Sequence, residues 1–168
     1  KDAFDRHGFD MAWRDTLAGA IQEVLETPLA RGAMRLREVD ARRRLSELEF
    51  VFPASSAARP VTAAGIADVI ERHRPAEISA DYPARVARLG FEPLAGFLRG
   101  FIDLVFEHEG RFYVADYKSN HLGARPDDYR AERIGEAMSH HHYHLQYLIY
   151  CVAVHRHHLA AAQVERGD

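Results

Sequence analysis

Two acidic residues and a lysine occur in the middle of the sequence, inside segments that otherwise look like β-strands. Asp103 lies in FIDLVF (residues 101–106), and Asp116 and Lys118 lie in FYVADYK (residues 112–118). Both segments are rich in the aromatic and branched residues that favour strands. Two carboxylates and an ammonium group brought together could bind a divalent cation and act on a phosphoryl group. These three residues are therefore candidates for a metal-dependent active site.

The two segments are predicted to pair as a β-hairpin. Residues 98–106 and 111–117 have strand character, and Glu109 and Gly110 between them suit a two-residue turn. The length of a hairpin loop sets the register of the strands that it connects. The position of each side chain can therefore be counted from the turn.

Counting from this turn places the two aspartates side by side. If His108 lies opposite Arg111, Asp103 lies directly opposite Asp116, with Cβ atoms roughly 4.5–5.5 Å apart. Lys118 follows Asp116 by two residues and shares its face of the strand. Directly opposed like charges are destabilising, and a cation such as Mg²⁺ removes the conflict by binding both carboxylates. The alternative is that both acids lie on an exposed sheet face and that Lys118 makes an ordinary cross-strand ion pair.

Patterns elsewhere predict the elements that flank this hairpin. Apolar residues recur at helical spacing in two long segments, while residues 45–52 alternate as a half-buried strand that ends at Pro53. In chain order the predicted elements are a helix over 9–25, a strand over 45–52, short helices over 63–74 and 84–89, the hairpin, and one long helix over 129–159.

The bulk properties describe one globular domain with an uneven use of basic residues. A chain of 168 residues with 47% hydrophobic residues can bury a core without disulfides, and the single Cys151 cannot form one internally. No apolar run approaches the ~18 residues of a membrane span, and no signal-peptide pattern opens the chain; both findings favour the cytoplasm. The only lysines are Lys1 and Lys118, since arginine carries the other positive charges. Lys118 thus stands out before any motif is considered.

The formal net charge of −3 bears on the interaction with nucleic acid. A freestanding DNA-binding domain usually has a basic surface, because its affinity depends on neutralising phosphates. Either nucleic acid is not the partner of this chain, or another part of a larger assembly holds the DNA.

Three segments together resemble a known nuclease family. GFIDLVFEHEGRFYVADYKSN (100–120), YHLQYLIY (143–150) and SELEFVFP (46–53) are similar to the nuclease domain of the exodeoxyribonuclease V beta-subunit (RecB) family, within the PD-(D/E)XK nuclease superfamily. The combination of G-x-I-D, D-Y-K-S and Q-x-x-x-Y is far more specific than any one element, and the resemblance extends over most of the chain. It implies a mixed α/β (α+β) fold with a restriction-endonuclease-like core, in which helices flank a central mixed sheet.

The resemblance also implies roles for individual residues. Asp103 and Asp116 would bind Mg²⁺, at a site that Mn²⁺ or Ca²⁺ could also occupy, and the backbone carbonyl of Tyr117 could complete the coordination. Lys118 would be the catalytic lysine of phosphodiester hydrolysis. Glu47 resembles an acidic family residue on the preceding strand, where it could be a further ligand or a group just outside the ligands; an exposed edge glutamate is the competing interpretation.

Gln146 and Tyr150 match the Q-x-x-x-Y motif of the family. At a spacing of four residues they share one face of a helix, where they could orient Lys118 or touch the DNA backbone. They could equally pack against the sheet. Tyr143, Tyr147 and Tyr150, all in this helical segment, are expected to pack in the core rather than to stack with DNA bases.

Two expected family elements are not found. The family carries a metal-binding histidine on a helix well upstream, and the surroundings of His7 do not match it; a further strand that follows the long helix in the family is also missing. We therefore expect residues 1–168 to be a single nuclease domain, a C-terminal fragment of a larger helicase–nuclease that is truncated at both ends. Such a fragment would be weakly active or inactive in isolation.

A histidine-rich segment and an arginine run are further candidates for binding. His140 and His144 would share one helix face, but no cysteine or third ligand stands at a zinc-site spacing. The histidines of residues 140–144 are therefore expected to form a solvated face or to bind metal only weakly and adventitiously. The run of arginines over 42–44 is likewise expected to be solvated surface rather than a phosphate contact.

The function favoured by these patterns is that of a Mg²⁺-dependent DNA nuclease domain of the exodeoxyribonuclease V type, acting in double-strand-break repair, recombination and DNA degradation. The resemblance implies DNA and the RecC-like and RecD-like subunits of a heterotrimer as partners, without a membrane. No G-x-x-x-x-G-K-[ST] motif is present, so a helicase motor would precede residue 1. The alternative is a nuclease-fold module that no longer cuts and serves as an interaction platform in a DNA repair complex. A different metal-dependent phosphodiesterase is a third option, which the Q-x-x-x-Y match disfavours.

Overall fold

The computed structural model describes residues 2–29, 32, 34–55 and 59–166. The chain divides into two compact units. Unit 1 contains Lys1–Arg44 and Phe106–Tyr113, and unit 2 contains Leu45–Val105 and Val114–Asp168. Asp103, Asp116 and Lys118 all belong to unit 2.

Three strands form a sheet in the order β1-β2-β3. They are β1 (Arg44–Ser55), β2 (Gly96–His108) and β3 (Arg111–Ala115). Strands β1 and β2 run in opposite directions, because Arg43, just before β1, pairs with Glu107 near the end of β2, whereas Glu49 pairs with Arg99 near its start. The hairpin makes β2 and β3 antiparallel as well.

The hairpin between β2 and β3 turns at Glu109 and Gly110, as predicted. Both residues have positive φ, of 52° and 75°, which is the conformation of two-residue turns whose twist matches that of the paired strands. The rings of Phe106 and Tyr113 stack with centroids 5.2 Å apart and planes 10° from parallel. These residues are direct opposites in the predicted register, which is therefore confirmed next to the turn.

Strand β3 is shorter than predicted and ends at Ala115 rather than at residue 117. The Tyr117 N–H donates to a carboxylate oxygen of Asp103 at 2.8 Å. A backbone N–H is a single donor, so this one is not available for the ladder of the sheet. Asp116 and Lys118 consequently lie in the segment that immediately follows the strand.

Strand β1 is longer than predicted and continues through Pro53 to Ser55. Proline has no N–H, and an edge strand tolerates it where that N–H would face away from the neighbouring strand. In the order given above, β1 is an edge strand. The predicted alternation is confirmed, because Leu48, Phe50 and Phe52 all pack against a core cluster of unit 2.

Helices make up most of the remaining structure, and the expected α+β class is confirmed. The helices are α1 (Asp2–His7) and α2 (Arg14–Glu26) in unit 1, and α3 (Ala63–His73), α4 (Tyr82–Val86), α5 (Ala131–His140) and α6 (Tyr143–Arg166) in unit 2. Short 3₁₀ turns span Met11–Trp13, Leu36–Glu38, Ala41–Arg43 and Pro126–Tyr129. Of the helices in the described ranges, none combines the length and the apolar character that crossing a membrane requires.

The prediction of one long helix over 129–159 is wrong, because α5 and α6 are separated at His141 and His142. His142 has a φ of 55°, which a continuous right-handed helix does not allow. A tertiary contact supports the start of α6: the Leu145 N–H, which donates to the His142 carbonyl at 3.0 Å, also donates to the Tyr82 hydroxyl at 3.1 Å. Helical periodicity does not reveal this break, since apolar residues recur on both sides of it.

Helix α6 belongs to both hydrophobic clusters of unit 2. In the first cluster, Tyr150 and Ala153 pack with Ile102 and Val105 of β2. In the second, Tyr147 and Leu148 of α6 pack against buried residues contributed by α3, α4 and the loop between them. These residues are Ala67, Ile70, Ile78, Tyr82 and Val86. The helix is thus fixed against the sheet and against the two small helices at once.

The break before α6 places His144 in the interior of unit 2 rather than on the expected solvated face. The residue is only 6% exposed, and its ring meets that of Tyr82 edge-on with centroids 5.1 Å apart. Neither ring nitrogen has a hydrogen-bond partner among the described residues. Burial disfavours the charged imidazolium and so lowers the pKa of His144.

We expect acid to destabilise the protein through His144. Its pKa is lower in the folded state than in the unfolded state, where it is about 6.5. As the pH falls, the unfolded state therefore binds this proton first. The free energy of unfolding should decrease below pH ~6.5, by at most about 1.4 kcal/mol per pH unit, and should level off below the folded pKa.

Urea unfolding of the wild type and of His144→Phe, between about pH 7.5 and 5.5, measures this effect. The variant should lose less stability on acidification. His155→Gln, at an exposed position of α6, is the control and should behave like the wild type. An identical pH dependence of His144→Phe and the wild type would show that another group causes the loss.

Candidate active site

The Asp103 carboxylate links β2 to the segment that follows β3. Asp103 is partly buried in the second half of β2, and its Oδ2 accepts the hydrogen bond from the Tyr117 N–H at 2.8 Å. Tyr117 stands between Asp116 and Lys118, so this bond brings their backbone next to Asp103. The predicted proximity of Asp103 and Asp116 is thus supported by a direct contact of Asp103 with the residue that follows Asp116.

Lys118 forms an ion pair with Asp116. The Lys118 ammonium lies against Oδ2 of Asp116, and the two side chains are 33% and 17% exposed. This oxygen is inaccessible to solvent and accepts no hydrogen bond of normal geometry from the described residues. A buried carboxylate oxygen without a partner would be costly, and the ammonium supplies the compensating charge.

The Lys118 ammonium also lies over the ring of Tyr143, 4.4 Å from its centroid. Tyr143 is the first residue of α6, and its hydroxyl donates a hydrogen bond to Oδ1 of Asn120 at 3.0 Å. Tyr143 is partly buried and lies outside both hydrophobic clusters of unit 2, and its ring contacts the candidate catalytic lysine. The sequence analysis did not single out Asn120, although its position two residues beyond Lys118 was an available signal.

Gln146 and Tyr150 form a hydrogen-bonded pair on α6. The Gln146 amide nitrogen donates to the Tyr150 hydroxyl at 2.8 Å, as their predicted position on one helix face allows. Burial raises the pKa of the Tyr150 hydroxyl, and the negative charges of Asp116 and, more weakly, Asp103 raise it further. The hydroxyl therefore stays neutral. The Tyr150 ring also packs in the core beside Phe50, with centroids 6.0 Å apart, so the packing role considered for this residue is present.

A cavity of about 450 Å³ gives these groups access to open space. Asp116, Lys118 and Gln146 line it together with apolar and aromatic side chains of α5 and α6. The charged pair is thus neither sealed in the core nor fully solvated. This is a suitable setting for a reaction on a bound ester, because charge interactions are stronger where water is partly excluded.

Glu47 does not join this group. Its side chain is exposed, and its φ of 52° interrupts the regular backbone of β1. Within the described ranges, no three or more His, Cys, Asp or Glu side chains come together at metal-binding distance. Glu47 therefore does not complete a three-carboxylate centre with Asp103 and Asp116, and the structure favours the exposed-glutamate interpretation.

The two aspartates nevertheless fit a divalent cation. Asp103 has a second carboxylate oxygen besides the one bonded to Tyr117, and Asp116 supplies another carboxylate. Hard divalent cations bind such oxygen ligands and accept water at the remaining positions. The carbonyl of Tyr117 is the third protein oxygen that the sequence analysis suggests.

The other candidate residues behave as surface. Arg42 pairs with Asp40 at 3.1 Å, and Arg43 pairs with Glu107, so the arginine run forms local ion pairs. His140 and His141 are exposed, with ring centroids 4.8 Å apart. The expected solvated character is confirmed for these residues, although not for His144.

The chain belongs to the PD-(D/E)XK nuclease superfamily, whose family model matches residues 6–167. Nucleases of this superfamily generally use divalent metal ions. The match includes both strands of the hairpin, β1 and the whole of α6.

Curated relatives of the chain include RecB subunits of the RecBCD enzyme. The chain is 38% identical over 156 residues to the RecBCD enzyme subunit RecB of Escherichia coli (strain K12), a match that covers 93% of the chain and 12% of that protein. It is 40% identical over 151 residues to the RecB subunit of Mycobacterium tuberculosis (strain ATCC 25618 / H37Rv), covering 83% of the chain and 14% of that protein. The chain thus spans only 12–14% of the length of these two relatives.

We expect the bond between Asp103 and Tyr117 to stabilise the metal-free protein. Asp103→Ala removes the acceptor and should lower the free energy of unfolding by about 1 kcal/mol. Asp103→Asn keeps an oxygen acceptor and removes one of two neighbouring negative charges, so its loss should be smaller. Urea unfolding without divalent cations measures both variants, with Glu92→Ala, in an exposed loop, as the control. Wild-type stability of Asp103→Ala would show that the bond contributes nothing.

Proposed function

We propose that this chain is the nuclease domain of a larger RecB-type helicase–nuclease and that it hydrolyses DNA phosphodiester bonds with Mg²⁺ as the metal ion. Membership of the superfamily and the similarity to RecB subunits support a DNA-cleaving hydrolase. The observation that carries the proposal is the meeting of three groups at the end of the hairpin. The Asp103 carboxylate binds the backbone between Asp116 and Lys118, and those two side chains form an ion pair.

Asp103 and Asp116 are the proposed protein ligands of the metal ion, with the Tyr117 carbonyl as a third oxygen. A bound Mg²⁺ would lower the pKa of a coordinated water and neutralise charge on a phosphoryl oxygen. The positive charge of the metal ion would then offset the repulsion between the two carboxylates. The same two residues therefore serve both the stability of the loaded site and its chemistry.

Lys118 is proposed to orient the attacking water and to stabilise the negative charge that develops on the phosphoryl group. Its ammonium is held at Asp116, beside the proposed metal ligands. Gln146 and Tyr150 line the same cavity as a neutral hydrogen-bonded pair. Their proposed role is to orient groups at the site, or the DNA backbone, without adding charge.

The DNA is proposed to be gripped mainly by other parts of the enzyme. The formal net charge of this chain is −3, and several arginines of unit 2 near α5 are neutralised by acids close in sequence. These pairs are Arg125 with Asp128, Arg130 with Asp127, and Arg133 with Glu136. A helicase motor and RecC-like and RecD-like subunits are the proposed sources of DNA binding, since phosphate neutralisation by basic groups dominates the affinity.

Replacing Lys118 or Asp116 should abolish DNA cleavage by the full-length enzyme. Lys118→Met removes the cation, and Asp116→Asn removes a charge at nearly constant volume. Each should lower kcat by about 100-fold or more. ATP-driven unwinding should persist, because the proposed motor is elsewhere. The release of short DNA fragments measures cleavage, and the separation of the two strands measures unwinding. Both can be followed on the same DNA.

The matched controls for this experiment are Arg130→Met and Asp127→Asn. They make the same chemical changes in an ion pair of 2.8 Å whose side chains are both 65% exposed. An exposed pair contributes little, so cleavage should stay within about twofold of the wild type. Cleavage by Lys118→Met within about tenfold of the wild type would contradict the proposed role, and it would favour the non-cleaving interaction module.

Divalent cations should raise the thermal stability of the protein through the two aspartates. A ligand that binds only the folded state stabilises it, so ~10 mM Mg²⁺ or Mn²⁺ should raise Tm relative to EDTA. The rise should be much smaller in Asp103→Asn and Asp116→Asn. Glu47→Gln should keep the full rise, because Glu47 is exposed; a loss as large as that of Asp116→Asn would instead make Glu47 a metal ligand.

A further inference from the structure

The Lys118 ammonium has two neighbours of different kinds. One is the carboxylate of Asp116, and the other is the ring of Tyr143, 4.4 Å away at its centroid. Lysine carries its charge on a flexible four-carbon stem, and this side chain is still 33% exposed. Its ammonium therefore needs contacts on more than one side to keep one position in the site.

The ring of Tyr143 is itself held in place. Its hydroxyl donates to Oδ1 of Asn120 at 3.0 Å, and the His141 ring stacks with it at 5.4 Å with planes 24° apart. Its backbone forms the first residue of α6. Asn120 follows Lys118 by two residues, so the chain that carries the lysine also fixes the ring beneath its ammonium.

The two groups that contact the ammonium differ in whether they would also bind the metal ion. Asp116 is a proposed metal ligand, and a carboxylate that shares its charge with a metal ion attracts an ammonium less strongly. The face of a tyrosine ring attracts a cation through its quadrupole, carries no net charge and does not compete for the metal. The contact with Tyr143 can therefore hold Lys118 whether or not Asp116 is engaged elsewhere.

We propose that Tyr143, braced by Asn120, is a positioning residue that holds the Lys118 ammonium beside Asp116 through its aromatic face. The role rests on the proposed catalytic function of Lys118 and adds the residue that keeps this lysine in place. The ring makes the essential contact, and the hydroxyl acts only through its bond to Asn120.

Cleavage kinetics of the full-length enzyme test this role. Tyr143→Leu removes the ring and should lower kcat by about tenfold, a change equivalent to ~1.4 kcal/mol, while KM stays within about twofold. Tyr143→Phe keeps the ring and should stay within about threefold of the wild type. In the Lys118→Met background, Tyr143→Leu should cause no further loss, because it acts through the lysine.

The matched control is Tyr113→Leu, which removes a tyrosine that stacks on Phe106 in unit 1. Its kcat should be unchanged. Equal losses in Tyr143→Phe and Tyr143→Leu would overturn the proposal, and so would a further loss of kcat from Tyr143→Leu when Lys118 is already replaced. Either result would mean that Tyr143 serves the site in a way that does not pass through Lys118.

A second measurement does not depend on cleavage. Because Lys1 and Lys118 are the only lysines, NMR of the 168-residue chain labelled with ¹³C-lysine observes Lys118 beside one other lysine. The ring of Tyr143 should shift the Lys118 methylene signals upfield. Tyr143→Phe and Asn120→Ala break the same hydrogen bond, so both should reduce this shift by a similar, small amount, whereas Tyr143→Leu should abolish it.

The two readouts separate failure of this inference from failure of the proposed function. Full cleavage by Lys118→Met would reject the catalytic role of Lys118, and with it the role of Tyr143 in cleavage. Loss of cleavage in Lys118→Met, with Lys118 signals that are unshifted or insensitive to Tyr143→Leu, would overturn the positioning role alone.

Discussion

The site depends on one exchange of hydrogen-bond partners at the end of the hairpin. The Tyr117 N–H donates to the Asp103 side chain instead of to a backbone carbonyl of the sheet. Strand β3 consequently ends at Ala115, and the next residues are free of the ladder while still tied to β2. A regular strand would hold Asp116 and Lys118 at the fixed spacing of alternate residues. Released from it, the two side chains meet as an ion pair.

Helix α6 provides the second support, and its position depends on the break that precedes it. A continuous helix through residues 141 and 142 would give α6 a different direction. With the break, the Leu145 N–H reaches the Tyr82 hydroxyl, and Tyr150 packs against β2. The cost is the burial of His144 without a hydrogen-bond partner for either ring nitrogen among the described residues. The geometry of the site is thus linked to a buried group that prefers to be neutral.

The charged groups at the candidate site differ in their surroundings from the ion pairs near α5. The one lysine inside the chain compensates a buried carboxylate oxygen of Asp116 and lies over a neutral ring. Three arginines near α5 are paired with nearby acids, so they leave little excess positive charge there for phosphates. In the proposed function, this domain would cut DNA that another part of the enzyme holds, because the reaction needs charge at one phosphate whereas strong binding needs it at many.

The sequence by itself determined the turn, the register of the hairpin next to it and the position of Asp103 beside the segment that carries Asp116 and Lys118. Each of these depends on local rules: the turn conformation, the alternation of side chains along a strand and the length of the loop. Only the tertiary structure decided that Tyr143 lies against Lys118 and that His144 is buried. Both outcomes follow from the break between α5 and α6, which is supported by a contact with Tyr82, 63 residues away along the chain. Periodicity and propensity describe neighbours in sequence, so they carry no information about which distant side chain will contact the start of a helix or lie against a charge.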